Sequence, residues 1–150
     1  MAETVTALSE QLFEALQRES FALLSTVDHE TGAPAMNAIS WLYAKDEKTI
    51  RFAVDQRSRI GSNIGKQPLV NVTFIGAGSV HAIYGTARLV TEALDGVPFK
   101  LACYDIEITA VRDAMFYGSR ISVAPEYEKT YDKRAAEKLD TQVSEAMKKA

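Results

Sequence analysis

The stretch Arg51-Phe-Ala-Val-Asp-Gln-Arg-Ser-Arg-Ile-Gly-Ser-Asn63 changes its hydrophobic period halfway along. Ile50, Phe52 and Val54 alternate with Arg51, Ala53 and Asp55, a period of two that predicts a strand with one buried face. The alternation stops at Asp55-Gln56-Arg57, a polar turn. Ile60 and Ile64 then lie one helical turn apart and Pro68 follows shortly, so the spacing predicts a short helix over 58–66. Ser58 and Arg59 open that helix. A hydroxyl, a guanidinium and free backbone N–H groups at a helix N-terminus suit a phosphate. The same residues also suit a plain serine cap beside a solvated arginine. Arg57 adds a second cation, and Gly61, Ser62 and Asn63 are small or polar for a helix that must also pack. These flanks favour a phosphorylated small molecule as ligand.

Working outward, Val5, Leu8, Leu12 and Leu16 form the stripe of an amphipathic helix ending near Arg18-Glu19-Ser20. Phe21 to Val27 is an apolar, β-branched run and reads as a strand. Asp28 to Pro34 is turn chemistry, with a second strand from about Ala35 to Ala44. Lys45-Asp-Glu-Lys48 turns the chain into the Ile50–Asp55 strand, and these three strands read as an antiparallel meander. Leu69–Ile75 is the fourth strand and Ser79–Thr91 a long fifth one, with Gly85 marking a bulge or a close backbone approach. A sixth is expected from about Leu101 to Ala110. Asp132 caps a last helix that carries Ala135, Ala136, Leu139, Val143 and Met147 on one side. The expected fold is mainly β with helices: a small closed barrel of six antiparallel strands, closure removing the exposed edges.

The totals narrow the function. The 150 residues form one expected domain, 1–150, with 47% hydrophobic and 25% charged residues. Net charge is −3 without a basic patch, so no nucleic-acid partner is expected. No apolar span approaches membrane length, and Met1-Ala-Glu-Thr-Val5 lacks the pattern of a signal peptide. Cys103 is the single cysteine, which fits a reducing cytoplasm. His29 and His81 have no partners at metal-ligand spacing, so no metal site is expected. No Gly-x-Ser-x-Gly frames Ser40, Ser58 or Ser79, and Cys103 reads as a packed small hydrophobe. Asp105 and Glu107 share a strand face that reads as wet. Asn37 and Ser40 are polar residues on a central strand and need partners, either a ligand edge or neighbouring loops.

Four pieces, in order, resemble the pyridoxamine 5′-phosphate oxidase-like family of FMN-binding split β-barrels. They are Phe21–Pro34, Asn37–Tyr43, Ile50–Asp55 with Ser58, Arg59 and Asn63, and Tyr84-Gly-Thr-Ala-Arg-Leu-Val90. The resemblance covers roughly Phe21 to Gly118. It implies a homodimer with FMN at the subunit interface. By matching positions, Ser58 and Arg59 would hold the phosphate with Asn63 nearby. Asn37, Ala38, Ile39 and Ser40 would border the flavin ring from the second strand, and Ala53, Val54 and Asp55 from the third. The other subunit would close the site through its fourth or fifth strand or Tyr117.

The resemblance further implies a flavin-dependent oxidoreductase acting on a small molecule that the residues do not identify. The alternatives are a non-catalytic flavin-binding or stress-related protein, a deazaflavin-binding relative, or a barrel serving as a dimeric scaffold. Pyridoxamine phosphate is not the expected substrate, because Glu128-Lys-Thr-Tyr-Asp-Lys-Arg134 and a charged helix stand where the true oxidases carry an R-x-L-x-P-type segment. No histidine follows His81, which argues against the haem-degrading relatives.

Overall fold

Ile39 and Leu42 are both buried in the core, although they are three residues apart. One continuous strand would put them on opposite faces. The chain therefore breaks at Ser40-Trp41, and the expected second strand becomes two. In the computed structural model, which describes residues 5–150, β1 (Ala22–Val27) pairs with β2 (Pro34–Ile39). The segment β3 (Leu42–Asp46) pairs instead with β4 (Thr49–Asp55). After α2 (Arg59–Lys66) come β5 (Leu69–Gly76), β6 (Ser79–Thr91) and β7 (Leu101–Asp113).

The antiparallel sheet runs β2-β1-β5-β6-β7-β4-β3. The expected meander of the first three strands is thus replaced by two hairpins at opposite ends of the sheet. Yet only Ser40 and Trp41 separate β2 from β3. Three Cα steps reach at most about 11 Å, whereas the edges of a flat seven-stranded sheet would stand roughly 29 Å apart. The sheet must roll until its edges meet at this crossover, and the Ala53 amide donates to the Trp41 carbonyl at 3.0 Å, carrying the β3–β4 ladder up to it. The result is the expected barrel with seven strands among the described residues instead of six.

Inside it, Leu24, Ile50, Phe52, Val72, Ile83 and Ile106 are fully buried, each contributing about 1.5–3 kcal/mol through burial. Gly85 sits at a register shift in the β6–β7 ladder. A Cβ there would collide with the Glu107 carbonyl and lie 2.5 Å from Ile106 Cγ2, so the expected close approach is real.

The N-terminal stripe forms a shorter helix than its spacing predicts. Ser9 Oγ accepts from Leu12 N and starts α1 (Glu10–Ala15), while Val5 lies outside it, bridged to Val111. Leu8, Leu12 and Leu16 are all buried against the barrel.

The last helix, α3 (Lys133–Lys149), begins at its expected cap, Asp132. It covers the outer face of β4 and β7 and builds a second apolar layer from Val143, Ala146, Met147, Ala53, Leu101 and Cys103. Beneath it Arg51 and Asp105 are almost completely buried. Arg51 Nε and Nη2 donate to Asp105 at 2.7 and 3.0 Å, and Nη1 donates to Met147 O and Ala150 O, both at 2.8 Å. The last carbonyls of a helix lack intrahelical donors and carry its negative end, and a guanidinium answers both needs. Asp105 therefore lies under α3, while Glu107 on the same face stays exposed. The expected wet face holds only beyond the helix.

Candidate cofactor site

The turn after β4 is built by side-chain caps. Asp55 Oδ1 accepts from Arg57 N at 2.8 Å, and Ser58 N donates to the Asp55 carbonyl at 2.9 Å. The Arg57 amide, then its side chain, holds the Asp55 carboxyl below the usual carboxylate range. Ser58 has extended backbone and its Oγ accepts from Ile60 N at 3.1 Å, so it is the true N-cap of α2.

A cavity of about 350 Å³ opens beside this turn. Asn37, Ala38, Ile39 and Ser40 line it from the end of β2, Ala53, Val54 and Asp55 from the end of β4, and Ser58 from the helix cap. Trp41 and Ile60 complete the wall. The barrel seam brings these two distant segments together. Asn37 and Ala38 are exposed, while Ser40 and Ser58 are half-buried.

Arg59 and Asn63, the remaining two expected site residues, are placed differently. Arg59 is turned toward the β1–β2 turn. Its Nε and Nη2 donate to the two Asp28 oxygens at 2.7 and 3.1 Å, and Nη1 donates to Glu30 at 3.3 Å. This pair, then the Thr31 amide, holds the Asp28 carboxyl far below its ordinary range. Asn63 is buried, with Nδ2 donating to Thr26 Oγ1 at 2.9 Å and Oδ1 accepting from His29 N at 2.9 Å. It ties α2 to β1 and the turn. Gly61 faces the Tyr104 hydroxyl, which a Cβ would meet at 2.9 Å. The small and polar character of α2 thus serves packing at these two positions.

His29, expected to be a solvated loop residue, is half-buried against Asn63. His81 bonds the Gly76 carbonyl at 3.0 Å. Among the described residues, no three His, Cys, Asp or Glu side chains gather as a metal site, and no helix is long and apolar enough to cross a membrane. Trp41 and Ile60 are wall residues outside the expected set. A large aromatic directly after the polar Ser40, with Ile39 and Leu42 outside the pair, was the available signal.

A rolled antiparallel sheet with a polar-mouthed pocket at its seam defines the split-barrel class. Residues 8–112 match the family model described as pyridoxamine 5′-phosphate oxidase, and the chain belongs to that family. Among solved structures it is similar to a pyridoxamine 5′-phosphate oxidase candidate from Lactobacillus delbrueckii, at TM-score 0.62 and 16% identity over 72% of this chain and 95% of that one. An F420 reductase aligns at TM-score 0.59 and 18% identity, over 70% of this chain and 98% of the other. An FMN-binding protein from Syntrophomonas wolfei aligns at TM-score 0.51 and 18% identity, covering 71% and 83%. At these identities the likeness shows the fold. No curated protein matches the chain.

Proposed function

We propose that this protein is a homodimeric FMN-binding flavoprotein of the cytoplasm whose bound flavin serves oxidoreduction of a small molecule. The observation that carries the reading is the cavity itself, which draws Asn37–Ser40, Ala53–Asp55 and Ser58 to one place at a capped helix start. The Ser58 hydroxyl, which accepts from Ile60 N and keeps its own proton to donate, suits a phosphate at the positive end of α2. Arg59 sits at the same helix end with a half-exposed guanidinium, and Asp28 keeps its Glu30 and Thr31 donors when their ion pair opens. A ligand phosphate can therefore share the guanidinium with Asp28. Asn63 contributes by holding α2 in place. The Asn37 and Ser40 side chains and the Asp55 carboxylate offer the ring edge hydrogen bonds, and Ile39, Ala53 and Val54 offer it apolar contact. When bound, FMN would supply the electron transfer, and the chain would supply binding and electrostatics.

A second copy is the expected partner. The outer face of β1, β2, β5 and β6 presents Leu23, Met36, Leu69, Asn71 and Tyr84 without an acidic side chain among them, and Met36 is 61% exposed. The Phe116-Tyr117 tip, with Tyr117 fully exposed, is free to reach the partner's pocket. The likeness to an F420 reductase favours a deazaflavin as the second reading of the cofactor. The absorption spectrum of freshly purified protein, with mass identification of what it carries, tests both. A flavin spectrum with the mass of FMN supports the first reading, and the mass of a deazaflavin the second.

A further inference from the structure

Trp41 belongs to two surroundings at once. It lines the cofactor pocket beside Ser40, and it also packs into the apolar layer under α3. Ala53, whose amide donates to the Trp41 carbonyl at 3.0 Å, is placed in the same way. This part of the pocket wall is therefore backed by α3, although among the described residues none of α3 lines the pocket.

The crossover needs such backing. The β1–β2 ladder ends at Ile39 and the β3–β4 ladder reaches only the Trp41 carbonyl, so backbone pairing alone does not fix the link between them. A side-chain bond does. The Trp41 indole Nε1–H donates to Asp140 Oδ1 on α3 at 2.9 Å. The acceptor is a carboxylate, which makes the bond stronger than one between neutral groups. Its second oxygen is held in turn, because Lys129 Nζ pairs with Asp140 Oδ2 at 3.0 Å and with Glu19, just ahead of β1, at 3.0 Å. Asp140 and Lys129 are both half-buried. A wall ordered before the ligand arrives spares the ligand the entropy of ordering it.

We propose that Asp140 is a positioning residue of the cofactor pocket, acting from outside it through the Trp41 indole to hold the Ser40-Trp41 wall in the shape that receives the ligand's ring. The hold on the wall stands on the geometry alone. That the ring is a flavin's rests on the flavin reading.

Asp140→Asn keeps an acceptor oxygen for the indole, Asp140→Leu removes it, and Trp41→Phe keeps an aromatic ring without the donor. In the ligand-free protein, amide hydrogen exchange followed by NMR reads the wall directly. The Ala53 amide should exchange roughly tenfold faster in Asp140→Leu and near the wild-type rate in Asp140→Asn. Amides of the β5–β6 ladder should keep their rates, which a general loss of stability would raise as well. Asp140→Leu should also weaken FMN and riboflavin alike, each roughly tenfold, because the wall meets the ring and not the phosphate. In a Trp41→Phe background, Asp140→Leu should have no further effect on either readout. Unchanged Ala53 exchange in Asp140→Leu overturns the proposal, as do equal acceleration in the β5–β6 ladder, equal effects of Asp140→Asn and Asp140→Leu, or additive effects with Trp41→Phe. Should Asp140→Leu fail to fold, Trp41→Phe alone must speed Ala53 exchange, and a wild-type rate there overturns the proposal. A responsive Ala53 amide in a protein that takes no FMN overturns only the flavin reading. Equal FMN affinity in the wild type and Asp140→Leu overturns only the role of Asp140.

Discussion

Arg51 and Arg59 flank the same turn and meet opposite fates. Arg51 is 3% exposed and spends its donors on Asp105 and on the last turn of α3. Arg59, with a half-exposed side chain, makes the same two-pronged contact at the surface to Asp28, which the Glu30 and Thr31 amides also hold. The contacts are alike in length and unlike in consequence. A buried pair that loses one partner leaves an uncompensated charge in a poor solvent, whereas an exposed pair loses little. Arg51 is therefore committed to architecture, and Arg59 remains available for exchange with a ligand.

Removing Arg51 tests the deeper half of this contrast and should produce the largest effect. Arg51→Met uncaps α3 and leaves buried Asp105 with only Arg88 at 3.1 Å and Lys45 at 3.9 Å, and should cost about 3 kcal/mol in urea unfolding, the low end for a broken buried pair. Burial pushes the Cys103 thiol up to about 11 and α3 shields it. A thiol reagent should therefore react slowly with the native protein and faster with this variant. Equal stability and equal thiol reactivity would mean that α3 is held by its apolar face alone.

Ser58→Ala touches both functions of the turn. Loss of the cap should cost about 1 kcal/mol of stability, and FMN affinity should fall at the same time. A stability loss with unchanged FMN affinity would reduce Ser58 to a cap.

Arg59→Ala should leave the unfolding midpoint nearly unchanged and weaken FMN roughly tenfold. Isothermal titration against FMN checks it, and an affinity equal to that of the wild type removes Arg59 from the site.

The smallest effect is electrostatic. Because Arg59 and the turn amides depress the Asp28 carboxyl, the stability it adds is present at pH above its ordinary value of 3.8 and is lost only as pH falls through the folded value. NMR titration of the carboxyl should place its midpoint well below 3.8, and Arg59→Ala should raise it. A midpoint at or above the ordinary value contradicts the pair.

Much of this was legible in the sequence where a local rule coincided with the global fold. The Phe52-Val54 alternation, the Ser58 and Asp132 caps and the Gly85 approach were each visible from a few residues. The break at Ser40-Trp41 was not, because apolar residues on both sides of it mimic one strand, and only the barrel seam separates Ile39 from Leu42. Asn63 and Gly61 misled for a related reason. A polar or small residue in a helix signals a ligand and a tight protein contact equally well, and here Thr26, His29 and Tyr104 are the contacts. Arg51 looked like one of the polar positions of its strand, since the helix that covers it lies some eighty residues downstream and its donors meet Met147 and Ala150. Eight of the ten expected site residues share one cavity because strand ends and a cap are local features. The other two belong to contacts that only the assembled fold reveals.

The central claim is that the Asn37–Ser40 and Ala53–Ser58 pocket holds a flavin by its phosphate as well as its ring. Parallel equilibrium titrations of the wild-type protein with FMN and with riboflavin, which lacks the phosphate, test it most directly. FMN should bind saturably and roughly tenfold or more tighter than riboflavin. Equal affinities would contradict the phosphate site, and no saturable binding of FMN would contradict the claim as a whole.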